Sequence, residues 1–384
     1  MRVNEVLSSK KILFVVNVDW FFISHRLPIA LKAIENGYEV HIATTITNKL
    51  DFLQDKGLIV HSLSFHRSSL VTVTLEFIKT LQVIYKVSPD ILHLVTIKPI
   101  LLGGIAARIV RVPSVVYAIS GLGFVFINNG FLALKRQQLV SYMYRISLNH
   151  FNRKVIFQNI DDKAKLSRLA RISSKDAVLI QGSGIDLSLY VEQKIPNGVP
   201  VVLMAARLLV DKGVREFVLA AEMVSKSKQK ARFILVGDVD PLNPASIKEW
   251  ELEKWEREGV VELWGYQDNM ERVISSSTIA VLPSYREGLP KFLIEAAACG
   301  RAIITTDVPG CRDAIEHELT GILVPVKNPD VIADSVLRLL DNMNLCREMG
   351  REGRKRAEIM FDLNSVVTKH INVYNELLCR IKTK

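Results

Sequence analysis

The sequence predicts an α/β protein of two successive domains, each built on a parallel, doubly wound sheet. Three observations predict it. Strand-length apolar runs alternate with helix-length segments throughout the 384-residue chain. The runs are apolar without alternation, as strands buried on both faces should be. The pattern stops once, around "QGSGIDLSLYVEQKIPNGVP", where Gly182, Gly184, Pro196, Gly198 and Pro200 gather as in a linker.

In the first half, "KILFVVN", "YEVHIAT", "LIVHSLS", "ILHLV", "SVVYAI", "KVIFQN" and "AVLIQG" read as buried strands. Helical patterns lie between them, such as Ser69 to Val87, closed by Ser88-Pro89. The second series is "VVLMAAR", "RFILVGD", "VVELWG", "IAVLPS", "AIITTD" and "GILVPV". Its helices are expected over Lys212–Ser225, Leu289–Cys299, Pro329–Leu340 and a terminal pair from about Leu345. The domains are expected at 1–184 and 185–363, both Rossmann-like. In such sheets ligands bind at the carboxyl ends of the strands, so a cleft between the domains is the expected site.

Composition narrows the class. Hydrophobic residues make up 49% of the chain, and there is no low-complexity tract. The early run "KILFVVNVDWFFISH" is broken by Asn17 and Asp19 and is too short to span a bilayer, so it reads as a first strand rather than a secretory signal. Cys299, Cys311, Cys346 and Cys379 form no C-x-x-C pair. Scattered thiols fit a reducing cytoplasm and read as small core residues.

Charge is uneven. Residues 1–180 hold 23 Lys/Arg against 11 Asp/Glu, whereas residues 181–384 hold 27 against 29. Between Ile91 and Lys175 there are 13 basic residues, and Asp161 and Asp162 are the acids. The first half therefore suits an anionic partner, such as a membrane surface, a phosphorylated substrate or nucleic acid; ordinary solubilising charge is the alternative.

Several chemistries lack their motifs. "NVDWFFISH" stands after the first strand in place of G-x-G-x-x-G, and there is no Walker A pattern. A nicotinamide dehydrogenase and a P-loop ATPase are thereby disfavoured. No nucleic-acid-binding module is recognisable.

The second half carries the chemistry. In "AARLLVDKGVREF", Arg207 and Lys212 sit where a strand gives way to a helix. Two cations there, with a helix N-terminus, can clamp a diphosphate; two surface charges are the bland alternative. In "SYREGLPKFLIEAAACG", Glu287, Gly288, Leu289 and Pro290 form a turn into a helix, and Glu295 is set about two turns into its apolar stretch. A carboxylate among Phe292, Leu293, Ile294 and Ala296 needs partners if buried, and vicinal ribose hydroxyls would serve. A helix N-terminal acid at Glu287 and a salt bridge at Glu295 are the plainer readings. Pro309-Gly310 marks another turn at a helix start.

Together these stretches resemble the retaining glycosyltransferases of family 4, over nearly the whole chain. The most specific matches are "ARLLVDKGVREF", "LWGYQDNM", "LPSYREGLPKFLIEAAACGRAIITTDVPGCRDAI" and "TGILVP"; Glu287 and Glu295 meet the E-x7-E pattern. The resemblance implies the GT-B fold, with a C-terminal helix, about 364–384, packing back on the first domain. It implies that Arg207 and Lys212 bind the diphosphate of a nucleotide sugar, Glu295 its ribose and Glu287 the sugar, with Gly265-Tyr266 near the base. The leaving group is then UDP, and the configuration is retained with no cofactor or metal.

The first half, through "ISHRLPIALKAIENGYEVHIAT", "TIKPILLGGIAARI" and "AISGLGFVF", resembles a narrower group. These are N-acetylgalactosaminyl- or galactosyltransferases that extend undecaprenyl-diphosphate-linked acetamido sugars in O-antigen, lipopolysaccharide, capsule or glycan biosynthesis. That implies a lipid-linked saccharide acceptor and a peripheral place on the inner face of a bacterial plasma membrane. Many family members carry a histidine where this chain has Ser120. Lys98, Ser120 and Gly121 are the substitute candidates on the sugar side; Lys98 reads equally as a surface lysine. His25 and Arg26 suit the acceptor's phosphates or, equally, a helix start. His93 reads as a packed strand residue. "GLGFVFINNGFLALKRQQLVSYMYRISLNHFNRK" mixes apolar and basic residues, as does a helix at a membrane face; packing on its own sheet is the alternative. Rival functions are a UDP-sugar 2-epimerase of the same architecture, a nucleic-acid binder and a non-catalytic subunit.

Overall fold

The run that opens the chain's apolar pattern becomes a strand, β1 (Lys11–Val18), with Ile12 to Val16 fully buried. The computed structural model describes residues 9–65, 70–122, 131–241 and 243–382. From β1 the chain continues through α1 (Asp19–His25), α2 (Leu27–Glu35), β2 (Glu39–Thr45), α3 (Leu50–Asp55), β3 (Ile59–Ser62), α4 (Leu70–Val87) and β4 (Ile91–Val95). Then come α5 (Ile97–Val110), β5 (Ser114–Ile119), α6 (Phe131–Ser147), β6 (Arg153–Phe157), α7 (Ile160–Ala170) and β7 (Ala177–Leu179). The strands form one parallel sheet in the order β3-β2-β1-β4-β5-β6-β7. The reversal of strand order between β1 and β4 is the doubly wound switch point, where such sheets hold ligands.

The second sheet is built from β8 (Val201–Ala205), α8 (Val214–Ser225), β9 (Arg232–Val236), α9 (Glu249–Arg257), β10 (Glu262–Gly265), α10 (Met270–Ser275) and β11 (Ile279–Leu282). It is completed by α11 (Lys291–Ala298), β12 (Ala302–Thr306), α12 (Cys311–Ala314), β13 (Gly321–Val324), α13 (Pro329–Asp341) and α14 (Met343–Met360). Its parallel order is β10-β9-β8-β11-β12-β13. The chain thus forms two units, one reaching to Ser183 and resuming at Ser365, the other Gly184–Asn364.

Local chemistry sets the helix ends. Asn159, Asn328 and Asn342 each cap a helix by accepting from a backbone N–H three residues on. Pro329 occupies the first turn of α13, where its missing N–H is no loss.

The last helix, α15 (Leu363–Lys382), belongs to the first unit over most of its length. Its Tyr374 hydroxyl is 2.6 Å from His93 Nδ1, and Asn152 donates to the Leu377 carbonyl at 3.0 Å. Lys154 and Arg380 pair with Glu376, and Arg380 also with Asp176. His93 is buried and stacked on Phe14 with centroids 4.7 Å apart, the packed strand residue expected.

Four differences from the sequence reading have physical reasons. The helix expected from Lys212 starts at Val214, because Gly213 adopts φ 76° and separates a 3₁₀ turn, Val210–Lys212, from α8. The helix expected over Leu289–Cys299 spans Lys291–Ala298, so Glu295 lies little more than one turn inside it. The Gly/Pro linker is in part anchored: Ile185 donates to the Phe361 carbonyl at 2.8 Å and accepts from Leu363 N, and Tyr190 is buried. Cys379 is exposed, unlike the three buried cysteines. Ser69 lies outside the described residues.

Candidate active site

In the second unit the carboxyl ends of β8 and β11 bring two distant motifs together. Gly213 makes this possible. A Cβ there would lie 2.2 Å from the Pro283 carbonyl oxygen, and φ is 76°, so the β8–α8 turn can approach β11 only with glycine. Tyr285 N then donates to the Asp211 carbonyl at 2.9 Å, and the Tyr285 hydroxyl donates to Glu216 at 2.6 Å. The result is an ion pair: Lys212 Nζ lies 2.5 Å from Glu287 Oε1, which also accepts from Ser284 Oγ at 2.8 Å. Both side chains are mostly buried, at 17% and 13% exposure.

The Pro309-Gly310 turn backs this arrangement. Glu287 N donates to the Pro309 carbonyl at 3.2 Å. A Cβ on Gly310 (φ 83°) would meet the carbonyl oxygens of Glu287 and Gly288, both at 2.6 Å. Thr306 Oγ1 donates to the Ser284 carbonyl. The loop carrying Glu287 is therefore held from both sides.

Glu295 is 5% exposed. Its Oε1 accepts from the Tyr190 hydroxyl at 2.7 Å and pairs with Lys291 Nζ at 3.3 Å. Burial raises its pKa above the ordinary carboxylate value, and Lys291 opposes the shift. The sequence offered no signal for Tyr190, which lies in the stretch read as linker. Leu289 is buried, and Pro290 stands at the N-cap of α11. Arg207 is half exposed and reaches Asp240 at 3.5 Å, so it does not join the Lys212–Glu287 pair. Tyr266, at 67% exposed, projects from the end of β10 rather than packing.

In the first unit, Lys98 is paired with Glu76 of α4 at 2.6 Å, which is not the exposed lysine of the plainer reading. Arg26 is not an outward-facing cation. It is 2% exposed, stands at the start of α2, and donates to the His25 carbonyl at 2.9 Å and to Ser120 Oγ at 3.4 Å. Burial lowers its guanidinium pKa to about 10. His25 stacks on Phe21 with centroids 4.1 Å apart and lies 2.5 Å from Ser24 Oγ. Gly121 has φ 109°. Of the basic-apolar segment running from Gly121 to Lys154, residues 123–130 lie outside the described residues. Among the described residues, no group of three or more His, Cys, Asp or Glu is placed to hold a metal, and no helix is long and apolar enough to cross a membrane.

Two family models match the chain, one over each sheet. Residues 190–356 match "Glycosyl transferases group 1" and residues 11–159 match "Glycosyl transferase 4-like". The chain is a glycosyltransferase. Over 368 residues it is 28% identical to the N,N'-diacetylbacillosaminyl-diphospho-undecaprenol alpha-1,3-N-acetylgalactosaminyltransferase of Campylobacter jejuni, covering 92% of this chain and 95% of the relative. It is 23% identical to the UDP-Gal:alpha-D-GlcNAc-diphosphoundecaprenol alpha-1,3-galactosyltransferase of Escherichia coli, over 81% of each chain. The fold is shared with HepE of Anabaena, solved in complex with UDP: TM-score 0.77, 17% identity, covering 96% of this chain and all of that one. The two Rossmann-like sheets of this glycosyltransferase are those of the GT-B fold that the sequence predicts.

Proposed function

We propose that this glycosyltransferase moves a hexose or N-acetylhexosamine from a UDP-sugar to an undecaprenyl-diphosphate-linked sugar, with retention of configuration, in the making of a bacterial surface glycan. The carrying observation is the Lys212–Glu287 pair, 2.5 Å apart at the carboxyl ends of β8 and β11. It matches the cation-and-carboxylate set that the E-x7-E resemblance assigns to the donor. The acceptor class is supported by the Campylobacter and Escherichia relatives, whose names specify diphospho-undecaprenol sugars.

In this reading the diphosphate sits against Lys212, with Arg207 at its outer side, and the ribose hydroxyls bind Glu295. As the glycosidic bond breaks, negative charge grows on the UDP oxygens, and fixed cations stabilise it without reorganising. Glu287, held by Lys212 and Ser284, accepts hydrogen bonds from the hydroxyls of the transferred sugar. Gly288, Leu289 and Pro290 fix its loop, and Tyr266 lies toward the base. Lys98, Ser120, Gly121, His25 and Arg26 remain the candidates of the first unit for the sugar and acceptor side; the buried Arg26 acts there through Ser120.

A peripheral place on an anionic membrane belongs to the same reading. Helices α4, α5 and α6 expose Val71, Leu75, Ile78, Tyr85, Ile109, Leu139 and Tyr142. Lys79, Lys86, Arg108, Lys135, Arg136 and Arg145 are exposed among them, and Glu76, the acid of these three helices, is buried. Apolar and basic side chains without exposed acids suit the interface of an anionic bilayer. The test of the function is to offer a panel of UDP-sugars with synthetic lipid-diphosphate acetamido sugars and weigh the products. Epimerised nucleotide sugar without transfer would contradict it.

A further inference from the structure

The carboxyl edge of the first sheet carries two polar atoms that the fold leaves without partners. Asn17 Oδ1 and Thr96 Oγ1 are both buried and accept or donate no hydrogen bond among the described residues. Both stand just beyond the last registered pair of two adjacent strands. The last registered pair of β1 and β4 is Val15 with Leu94; Asn17 lies two residues beyond it in β1, and Thr96 lies two residues beyond it, just past the end of β4. This edge is the switch point between β1 and β4.

Thr96 is also strained. Its φ is 71° and its ψ 166°, a region that only glycine adopts without penalty. A β-branched residue is the least suited to it. Thr96 occupies the N-cap of α5, yet its hydroxyl does not cap the helix. Threonine at an N-cap ordinarily spends its oxygen on the first-turn N–H groups. Here the backbone is twisted and the hydroxyl is left unused by the protein. Such a position persists when its side chain serves something other than the fold.

The chemistry of the pair limits the ligand. An amide oxygen only accepts, so the partner of Asn17 Oδ1 must donate an O–H or N–H. An ionised phosphate has no such group; a sugar hydroxyl or an acetamido N–H does. Ser120, just past the end of the neighbouring β5, extends the same edge with a second hydroxyl, held by Arg26.

We propose that Asn17 and Thr96 form a hydrogen-bonding subsite for the saccharide of the acceptor, read through its hydroxyl or acetamido donors. This rests on the acceptor reading above. The strain at Thr96 is retained because the hydroxyl is needed at that edge.

The proposal separates stability from binding at a single residue. In Thr96→Gly the backbone strain is relieved, and Tm should stay level or rise by about 2–4 °C. Its KM for the acceptor, probed with undecaprenyl-type diphosphate N-acetylglucosamine and N,N'-diacetylbacillosamine, should rise by about fivefold or more. The KM for the UDP-sugar should stay within about twofold. Asn17→Ala should show the same split between the two KM values. Unchanged acceptor KM in both variants, as expected if the two atoms merely hold a structural water, would overturn the subsite. A change confined to donor KM would overturn it as well. Wild-type protein that transfers to neither acceptor would overturn the acceptor reading, and the subsite with it.

Discussion

Lys212 Nζ and Glu287 Oε1 stand 2.5 Å apart although 75 residues separate them, joined because Gly213 lets the β8–α8 turn lie against Pro283. The pair places a cation and a carboxylate at the carboxyl ends of adjacent strands. Lys212→Ala should therefore lower UDP affinity by about tenfold and turnover by two to three orders of magnitude, roughly the loss of one preorganised charge at a developing anion. Lys212→Arg should not restore it, because the guanidinium fork is longer and planar. Calorimetry with UDP and initial rates check both; unchanged UDP binding would remove Lys212 from the site.

Glu295 sets function against stability. Its folded pKa is raised by burial above the ordinary 4.5, so the fold holds the proton more tightly than the unfolded chain. Its contribution to stability is full below that ordinary value and is lost as pH rises through the folded one. Glu295→Gln keeps the shape without the charge. It should be at least as stable as wild type at pH 7.5, with the difference vanishing below about pH 4.5. It should also bind UDP about tenfold more weakly. Thermal melts across pH, beside calorimetry, measure the two effects.

Acid should act first on the first unit. His93 and His370 are fully buried and stacked 6.0 Å apart, near Arg26, Tyr374 and Phe14. Burial holds both neutral, with His370 lowered to about 3. Stability is present above the unfolded pKa near 6.5 and is lost as pH falls from there toward the folded value. His370 should remove about 2 kcal/mol between pH 7.5 and 5, and His93 acts in the same direction. His370→Leu should flatten that slope in urea melts while leaving UDP binding intact.

The outer face of α4–α6 should bind anionic vesicles. Co-sedimentation with phosphatidylglycerol vesicles should exceed that with phosphatidylcholine, and should weaken as salt rises. Arg136→Glu with Arg145→Glu should abolish the preference. Equal binding to both vesicles would contradict this surface.

The strands were legible because their runs are buried on both faces and almost wholly apolar; β1, β4, β5 and β8 stand where "KILFVVN", "ILHLV", "SVVYAI" and "VVLMAAR" place them. Lys212 and Glu287 were legible as motif members. Their mutual distance was not, since it depends on the close approach at Gly213. Tyr190 was hidden because an irregular linker gives no periodicity. The burial of Arg26 was hidden too, because sequence counts a guanidinium as a surface charge. The polar groups Asn17 and Thr96 needed the placing of β1 beside β4, which no local pattern encodes.

The most direct test is the reaction itself. Purified protein, a UDP-N-acetylhexosamine or UDP-hexose, and a lipid-diphosphate acetamido sugar are incubated together. The product mass and the configuration of the new anomeric centre are then read by mass spectrometry and NMR. The account predicts one sugar added to the lipid-linked acceptor, with the α configuration of the UDP donor preserved. A β-linked product, or no transfer from any UDP-sugar, would contradict it.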